Sequence, residues 1–506
     1  MSAPVTPVAA TDTPPRLRRS LSVWQAVGLS LALMAPSMAA NINPQASAAT
    51  AGYAVPLTFL IAAVGVLLVA YTFVRLCQYF HHSGSVYAFV GATLGPRAGV
   101  VAGWGLVGTY VFYAVTTAAA AGIFGTGLLQ TLGIWPHPPS YAPWFLITFV
   151  LVLALVVAAL PSRRGTNTLL IIECTTVTLI VLVAIVVFVR LIAGDAPGHE
   201  TFTMKVFTIP HGVSQSALFL GVVFGFLSFA GFEASATLGE EAHHPRRDIP
   251  RAIMAVALFG GVYFVVVTAA EMMGFGTSNA GVAAFASSPS LLGSLGTTYI
   301  ASWVGNLITL GTTVSAFGCC LASTVGAARL VFAMSRDSYG PRGLGKPSRW
   351  GTPANATLFI TVITAAIYVV YMAGGATATD AFDWSGSIGT LILLVAYLLA
   401  TIGMTLLVFV RRRMPSVPVW QVIIPVAAVA LLGYTLYRNV FPYPSSGPGH
   451  WYPIVTGGWL ALALIAVFAL PGTARRLGAA LAAGLSSADR QETGQASLSV
   501  GRSGSS

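Results

Sequence analysis

Charge is what this sequence has least of. Asp, Glu, Lys and Arg make up 8% of its 506 residues, against about 25% in soluble globular domains. Acidic residues number 14 and cysteines 4. A chain so poor in charge, 56% hydrophobic and with a mean hydropathy of +0.80, cannot cover itself with a solvated surface. That excludes a soluble multidomain protein, although the length would allow several domains. Cys77, Cys174, Cys319 and Cys320 fall in or beside apolar runs and keep no spacing of a disulfide framework or a zinc site. They read as small packing residues. No nucleophile–base pair or cluster of metal ligands occurs within the apolar runs, and the pairs His81–His82 and His243–His244 fall in loops. The chain is therefore expected not to be an enzyme and to use no metal and no cofactor.

What the sequence has instead is apolar runs. Twelve fit the chain, at roughly 22–44, 52–76, 99–130, 142–161, 166–193, 214–238, 251–275, 299–333, 354–374, 385–410, 419–437 and 452–471. Most reach the ~20 residues that a membrane-spanning helix needs. The net charge of +11 invites a nucleic-acid reading, but the positions of the charges dismiss it. With the N-terminus inside, 22 of the 25 Lys and Arg fall on the cytoplasmic side, and only Arg190, Lys205 and Arg438 on the other. This is the positive-inside bias, and an even number of spans returns both termini to the cytoplasm. The expectation is an all-α, multi-pass protein of the cytoplasmic membrane, with the lipid bilayer as its partner and no nucleic acid. Residues 1–20 and 472–506 are too polar to fold alone and read as disordered tails. Arg18–Arg19 and Ser37-Met38-Ala39 resemble an export signal and its cleavage site. Cleavage would leave eleven spans and move the mature N-terminus outside, so an uncleaved first span is expected.

The sixth run carries the most information. It reads FGFLSFAGFEASATLG over 224–239, then EEAHHPRRDIPRAI. Glu233 sits at mid-depth two residues after Gly231, where a carboxylate costs at least ~2.5 kcal/mol. Irregular backbone in the hydrocarbon layer survives only where it lines a cavity or is buried in protein. A break near Ala230–Gly231 is expected. In the first run, SVWQAVGLSLALMAPSMAANINP, Pro36 has no N–H and biases Ala35 away from helix. The segment Ala35–Asn41 is expected to break as well. Corresponding interruptions in the two halves of a transporter point to its binding site. Half-helix N-termini offer N–H groups to a carboxylate, and the opposite ends offer carbonyls to an ammonium.

Other polar residues also lie in or beside the runs. Glu173 would lie about 13 Å into span five, where it either pairs with another group or carries protons. Tyr110, in GLVGTY of span three, would want a hydroxyl partner at depth. Glu271, near the outer end of span seven, reads as solvated by headgroup water, and Asp248 reads as the cap of that span. Thr312, Thr313 and Ser315 in span eight either bond their own backbone or coordinate a cation against the opened first span. The spans at 419–437 and 452–471 lie outside a five-plus-five repeat.

The stretch FGFLSFAGFEASATLGEEAHHPRRDIPRAI resembles the sixth-span signature of the amino acid–polyamine–organocation transporters. AGWGLVGTY in span three and AARLVFAMSRD at the end of span eight are similar too, and the likeness covers roughly residues 20–470. The resemblance implies a leucine-transporter-like fold of two inverted five-helix repeats, about 21–193 and 214–410. Helices 1 and 6 would be discontinuous, and two extra helices would fill 411–471. Together with the breaks and Tyr110 read above, it gives a candidate substrate site of Ala35, Pro36, Ser37, Met38, Ala39, Tyr110, Phe226, Phe229, Ala230 and Gly231. The resemblance would have the substrate carboxylate meet Ser37–Ala39 and its ammonium Phe229–Gly231, with Glu233 as a gate element, while Glu173 is the candidate for coupling from its own depth in span five. The sequence departs from the family in lacking the Gly-rich first-span motif, the second-span acid and the fifth-span lysine. The expected function is amino acid transport by alternating access, coupled to protons rather than sodium. A polyamine or amine permease is the alternative, and a non-transporting nutrient sensor is the reading from another class.

Overall fold

The computed structural model describes residues 22–80, 85–159, 163–238, 242–336, 341, 343–348, 352–412, 417–443 and 447–469. The tails 1–20 and 472–506, the pair His81–His82 and the acidic pair Glu240–Glu241 lie outside the described residues.

With no water in a bilayer core, apolar runs must close their backbone hydrogen bonds within helices. The first run does so as α1 (Val23–Met34) and α2 (Pro36–Ala51), separated by the single residue Ala35. α3 (Val55–Tyr79) follows a tight turn at Gly52, whose φ is +56°. Next come α4 (Ser85–Leu94), α5 (Pro96–Thr131), α6 (Ala142–Ala159) and α7 (Arg163–Ala193). The second half holds α8 (Gln215–Phe229), α9 (Pro245–Phe275), α10 (Asn279–Ala286), α11 (Leu291–Tyr299) and α12 (Ser302–Arg336). α13 (Ala354–Ala373), α14 (Ala378–Thr405), α15 (Ile423–Val440) and α16 (Trp451–Ala469) complete the chain. Eleven stretches among the described residues are long and apolar enough to cross a membrane. The sequence count was twelve. The difference is that the first two runs form one helical stretch of 57 residues, Val23–Tyr79.

One other expectation is corrected here, and one segment between the apolar runs gains structure. α9 begins at Pro245 rather than near Asp248, because His244 takes the N-cap position and donates its N–H to Asp248 Oδ2 at 3.2 Å. Asp248 thus closes the first turn from inside it. The uncharged segment 276–298 folds into α10 and α11, and these pack over the end of α9.

The centre belongs to α5, whose most apolar stretch is 83% buried, and to the stretch Gln215–Leu238, at 78%. α15 and α16, at 22% and 17%, form part of the lipid-facing rim. α5 packs closely on α12 and α14, α3 on α9, and α2 on α8. α16 is held by a reciprocal clasp. Trp104 Nε1 donates to the Trp459 carbonyl at 3.0 Å and Trp459 Nε1 to the Trp104 carbonyl at 2.9 Å. The two rings stack at 4.9 Å, over Gly108, where a Cβ would strike the Trp459 indole. Trp459→Ala is expected to destabilise the protein by about 3 kcal/mol, read as a lower melting temperature in detergent.

Candidate functional site

Both expected interruptions are present. Ala35, at φ +44° and ψ +60°, takes a left-handed turn that an L-residue adopts only at a cost. The helix resumes at once with Pro36 in its first turn, so this break is one residue wide rather than the seven of Ala35–Asn41. Proline suits that position because its missing N–H would have no helical partner. In the sixth run α8 ends at Phe229, Ala230 is extended, and Gly231 has φ +103°. The chain turns through Phe232 and Glu233 and resumes as a 3-10 turn, Ala234–Leu238. The breaks meet directly. A Cβ on Gly231 would lie 2.9 Å from Leu33 Cβ, two residues before Ala35. Ser30 Oγ donates to the Phe232 carbonyl and accepts from Ser235 N–H, both at 3.0 Å, which ties α1 to the unwound segment.

Each break is held by a buried carboxylate from this chain. Glu173 of α7 reaches the start of α2, where its Oε1 accepts from both Ser37 N–H and Ser37 Oγ at 2.9 Å. The positive end of α2 favours negative charge at that point. Glu233 folds back on its own turn, its Oε2 accepting from Gly231 N–H at 3.2 Å and from the Tyr397 hydroxyl at 2.8 Å. Its Oε1 is buried without a partner among the described residues. The other exposed ends of the backbone are engaged in part. Cys319 Sγ donates to the Leu33 carbonyl at 3.0 Å, and the Tyr263 hydroxyl donates to the Pro36 carbonyl at 3.3 Å. Phe232 N–H reaches the Phe229 carbonyl at 3.2 Å and Ala234 N–H the Gly231 carbonyl at 2.9 Å. Each carbonyl keeps a second lone pair.

The residues named from the sequence do not all converge. Ala35, Pro36, Ser37, Met38, Ala39, Ala230, Gly231, Glu173 and Glu233 lie at or against the breaks, all buried. Phe229 packs edge-on to Phe264 at 5.1 Å and against Gly260 of α9. Phe226 turns toward α3, with its ring tip over Gly65. Tyr110 lies across Gly326 of α12. Thr312 accepts from Asn41 Nδ2 at 3.2 Å, on the side of α12 that faces α2. Ser315 lies beside Glu173, but its hydroxyl completes no hydrogen bond among the described residues. Thr313 bonds its own backbone at Thr309 and turns its methyl toward Gly125 of α5, away from that pair.

Sequence reasoning missed Asn41, which braces α2 at four points. Its Nδ2 donates to Ser37 O at 2.9 Å and to Thr312, and its Oδ1 accepts from Ser290 Oγ at 2.8 Å and Leu292 N–H at 3.0 Å. A buried amide in a membrane helix was the available signal. Ser30, Tyr397 and Cys319 carried none, since their partners are remote in sequence.

A sequence profile of the amino acid permease family matches residues 30–473 of the chain. The chain belongs to that family. It is similar to the low-affinity putrescine importer PlaP of Escherichia coli K12, 27% identical over 69% of this chain and 74% of that one. It is also similar to the branched-chain amino acid permease BcaP of Bacillus subtilis, 26% identical over 81% and 85%. An uncharacterized transporter of Mycobacterium bovis is 28% identical over 74% and 79%. The family is one of permeases, not enzymes, and the chain is a multi-pass membrane transporter whose relatives move small organic solutes.

Proposed function

We propose that this permease carries amino acids across the cytoplasmic membrane by alternating access, driven by protons. The observation that carries the reading is the meeting of the two breaks, where Leu33 packs on Gly231 beside the start of α2. One side offers the N-terminus of a half-helix and the other offers carbonyls with free lone pairs. A zwitterion presents the matching carboxylate and ammonium in one small unit. Recognition by backbone leaves the side-chain pocket to set specificity. Uptake of radiolabelled amino acids into acid-outside proteoliposomes tests this, and a broad panel that is neither bound nor transported would overturn it. Binding without flux would favour a sensor instead.

Coupling follows from who already holds the anion site. Glu173 occupies Ser37 N–H and Oγ, the groups a substrate carboxylate needs. Two carboxylates that close cannot both stay charged. A proton on Glu173 relaxes its hold and admits the substrate, so the two bind together. Glu173→Gln is expected to lower acid-driven accumulation roughly tenfold, a change worth ~1.4 kcal/mol, while substrate exchange at equal pH persists. Acid-driven accumulation at the wild-type level in that variant would reject the role. Sodium held between Thr312 and Ser315 is the competing coupling ion, and sodium-free buffer that abolishes uptake would select it.

The fold we propose for this cycle is twelve spans in two inverted repeats, about 21–193 and 214–410, with 411–471 adding helices eleven and twelve. The stretch Val23–Tyr79, at 57 residues, is about 85 Å long, enough to cross a ~30 Å hydrocarbon core twice. The pairings of α2 with α8, α3 with α9, α5 with α12 and α6 with α13 support this reading, since in those four a span of the first repeat lies against the one five spans on. Both termini are then cytoplasmic. A polyamine or other amine as substrate has its own support in the similarity to a putrescine importer and in the open Oε1 of Glu233. Competition by putrescine but not by zwitterions would decide for it.

A further inference from the structure

Glu271 belongs to neither break, and its surroundings do not match the headgroup solvation expected from its place near the end of span seven. It is fully buried in α9, four residues before the helix ends. The uncharged segment that follows packs on the same end of α9. α10 and α11 pack on α9, with Phe285 edge-on to Phe275 at 5.7 Å and Leu295 against Gly274. Neither carboxyl oxygen has a hydrogen-bond partner among the described residues. A carboxylate cut off from both water and donors is kept neutral by a proton, and such residues inside transporters mark proton relays. A resident metal would bring further ligands, and no group of three His, Cys, Asp or Glu lies together among the described residues.

The ionisable groups that face Glu271 are few. α1, α2, α8, α10 and the turn Ala234–Leu238 have no ionisable side chain, and those of α3 (Tyr71, Arg75, Cys77 and Tyr79) gather at its far end. α7 contributes Glu173 and Arg190, and α11 contributes Tyr299, which donates to the Gly274 carbonyl at 3.2 Å. Glu200 lies over Gly276, and Lys205 lies on the short turn Met204–Phe207. On α9 itself, Tyr263 is two turns from Glu271, and its ring lies within electrostatic range of both Glu271 and Glu173. Its hydroxyl already touches α2 at the Pro36 carbonyl, next to the Ser37 groups that Glu173 holds.

We propose that Glu271 is a second proton-carrying carboxyl, which takes a proton on the side where α9 ends and passes it to Glu173 by way of the Tyr263 hydroxyl. The proton leaves the Glu271 carboxyl for water in the opened outer path. The Tyr263 oxygen accepts from that water as its own hydroxyl proton moves, through a second water that spans the Pro36–Ser37 peptide, to the Glu173 carboxylate. One proton enters and one reaches Glu173, with no change of oxidation state. α10 and α11 are then part of the cover that keeps this carboxyl from bulk water until the outer path opens. The inference rests on the proton-coupled reading of Glu173, so the test separates the two.

Wild type, Glu271→Gln, Tyr263→Phe and Glu173→Gln are reconstituted, and acid-driven initial uptake is compared with substrate counterflow at equal pH inside and out. Glutamine keeps the size of the neutral acid, so Glu271→Gln is expected to fold and to retain counterflow within about twofold. Its acid-driven uptake is expected to fall about tenfold, with a flattened pH profile, and Glu271→Asp to recover part of it. Tyr263→Phe is expected to lower acid-driven uptake to a similar extent. Wild-type acid-driven uptake in Glu271→Gln, with uptake lost in Glu173→Gln, overturns the relay alone. A wild-type protein indifferent to the pH gradient overturns the relay and the coupling reading together. Counterflow lost along with uptake in Glu271→Gln overturns the relay in favour of a structural role.

Discussion

Gly231→Ala is expected to abolish transport, with initial uptake at least about a hundredfold below wild type, close to 3 kcal/mol of lost function. Two independent costs act at this position. The φ of +103° is one that L-residues rarely adopt, a strain of about 1–3 kcal/mol. A Cβ there would also lie 2.9 Å from Leu33 Cβ and Cγ and 3.0 Å from the Leu33 backbone carbonyl carbon. The side chain can be trimmed, but the backbone of α1 cannot move aside without parting the two breaks. Gly231→Ala combined with Leu33→Ala is therefore expected to recover little, because the backbone contact and the φ remain. Wild-type uptake in Gly231→Ala would mean that the turn has no part in transport.

The second large effect is expected at Glu233. Its Oε2 is the shared acceptor for Gly231 N–H and the Tyr397 hydroxyl. Glu233→Ala leaves two buried donors without a partner, at about 1–3 kcal/mol each, and frees the turn from α14. Uptake is expected to fall 10- to 100-fold, on the order of 1.4–2.8 kcal/mol, with a lower melting temperature. Glu233→Gln keeps an acceptor oxygen of the same reach and is expected to fall between wild type and Glu233→Ala. Tyr397→Phe removes one of the two donors and is expected to cost less than Glu233→Ala. Equal loss in Glu233→Gln and Glu233→Ala without destabilisation would show that charge on Glu233 matters and the clip does not.

How much of this was legible in the sequence follows from range. The break at Ala230–Gly231 was local chemistry, a glycine and a carboxylate in a helix that has no other use for them, and it could be read from the chain. The first break could be placed because Pro36 constrains its neighbour. Its width could not, since proline also starts a helix, and Pro36 does both within two residues. Glu173 was recognisable as a carboxylate needing a partner. That the partner is Ser37, 136 residues away, depends on how α7 packs against α2. Glu271 was misread for a related reason. Its distance from the helix end suggested water, and the packing of neighbouring helices, with 276–298 folded into two more on that end of α9, removes it. Phe226 and Thr313 show the same limit, because which face of a membrane helix meets which neighbour is set by packing that apolar periodicity barely marks.

The central claim is that exposed backbone at the two breaks grips both charges of one small solute. Competition against uptake of a transported amino acid tests it most directly, using that amino acid, its methyl ester, its N-acetyl form and putrescine. The account predicts that the unmodified amino acid competes and that blocking either its carboxylate or its amine abolishes competition. Competition by the methyl ester or by putrescine as strong as by the parent compound would contradict it, since a solute gripped at its amine alone has no need of the start of α2.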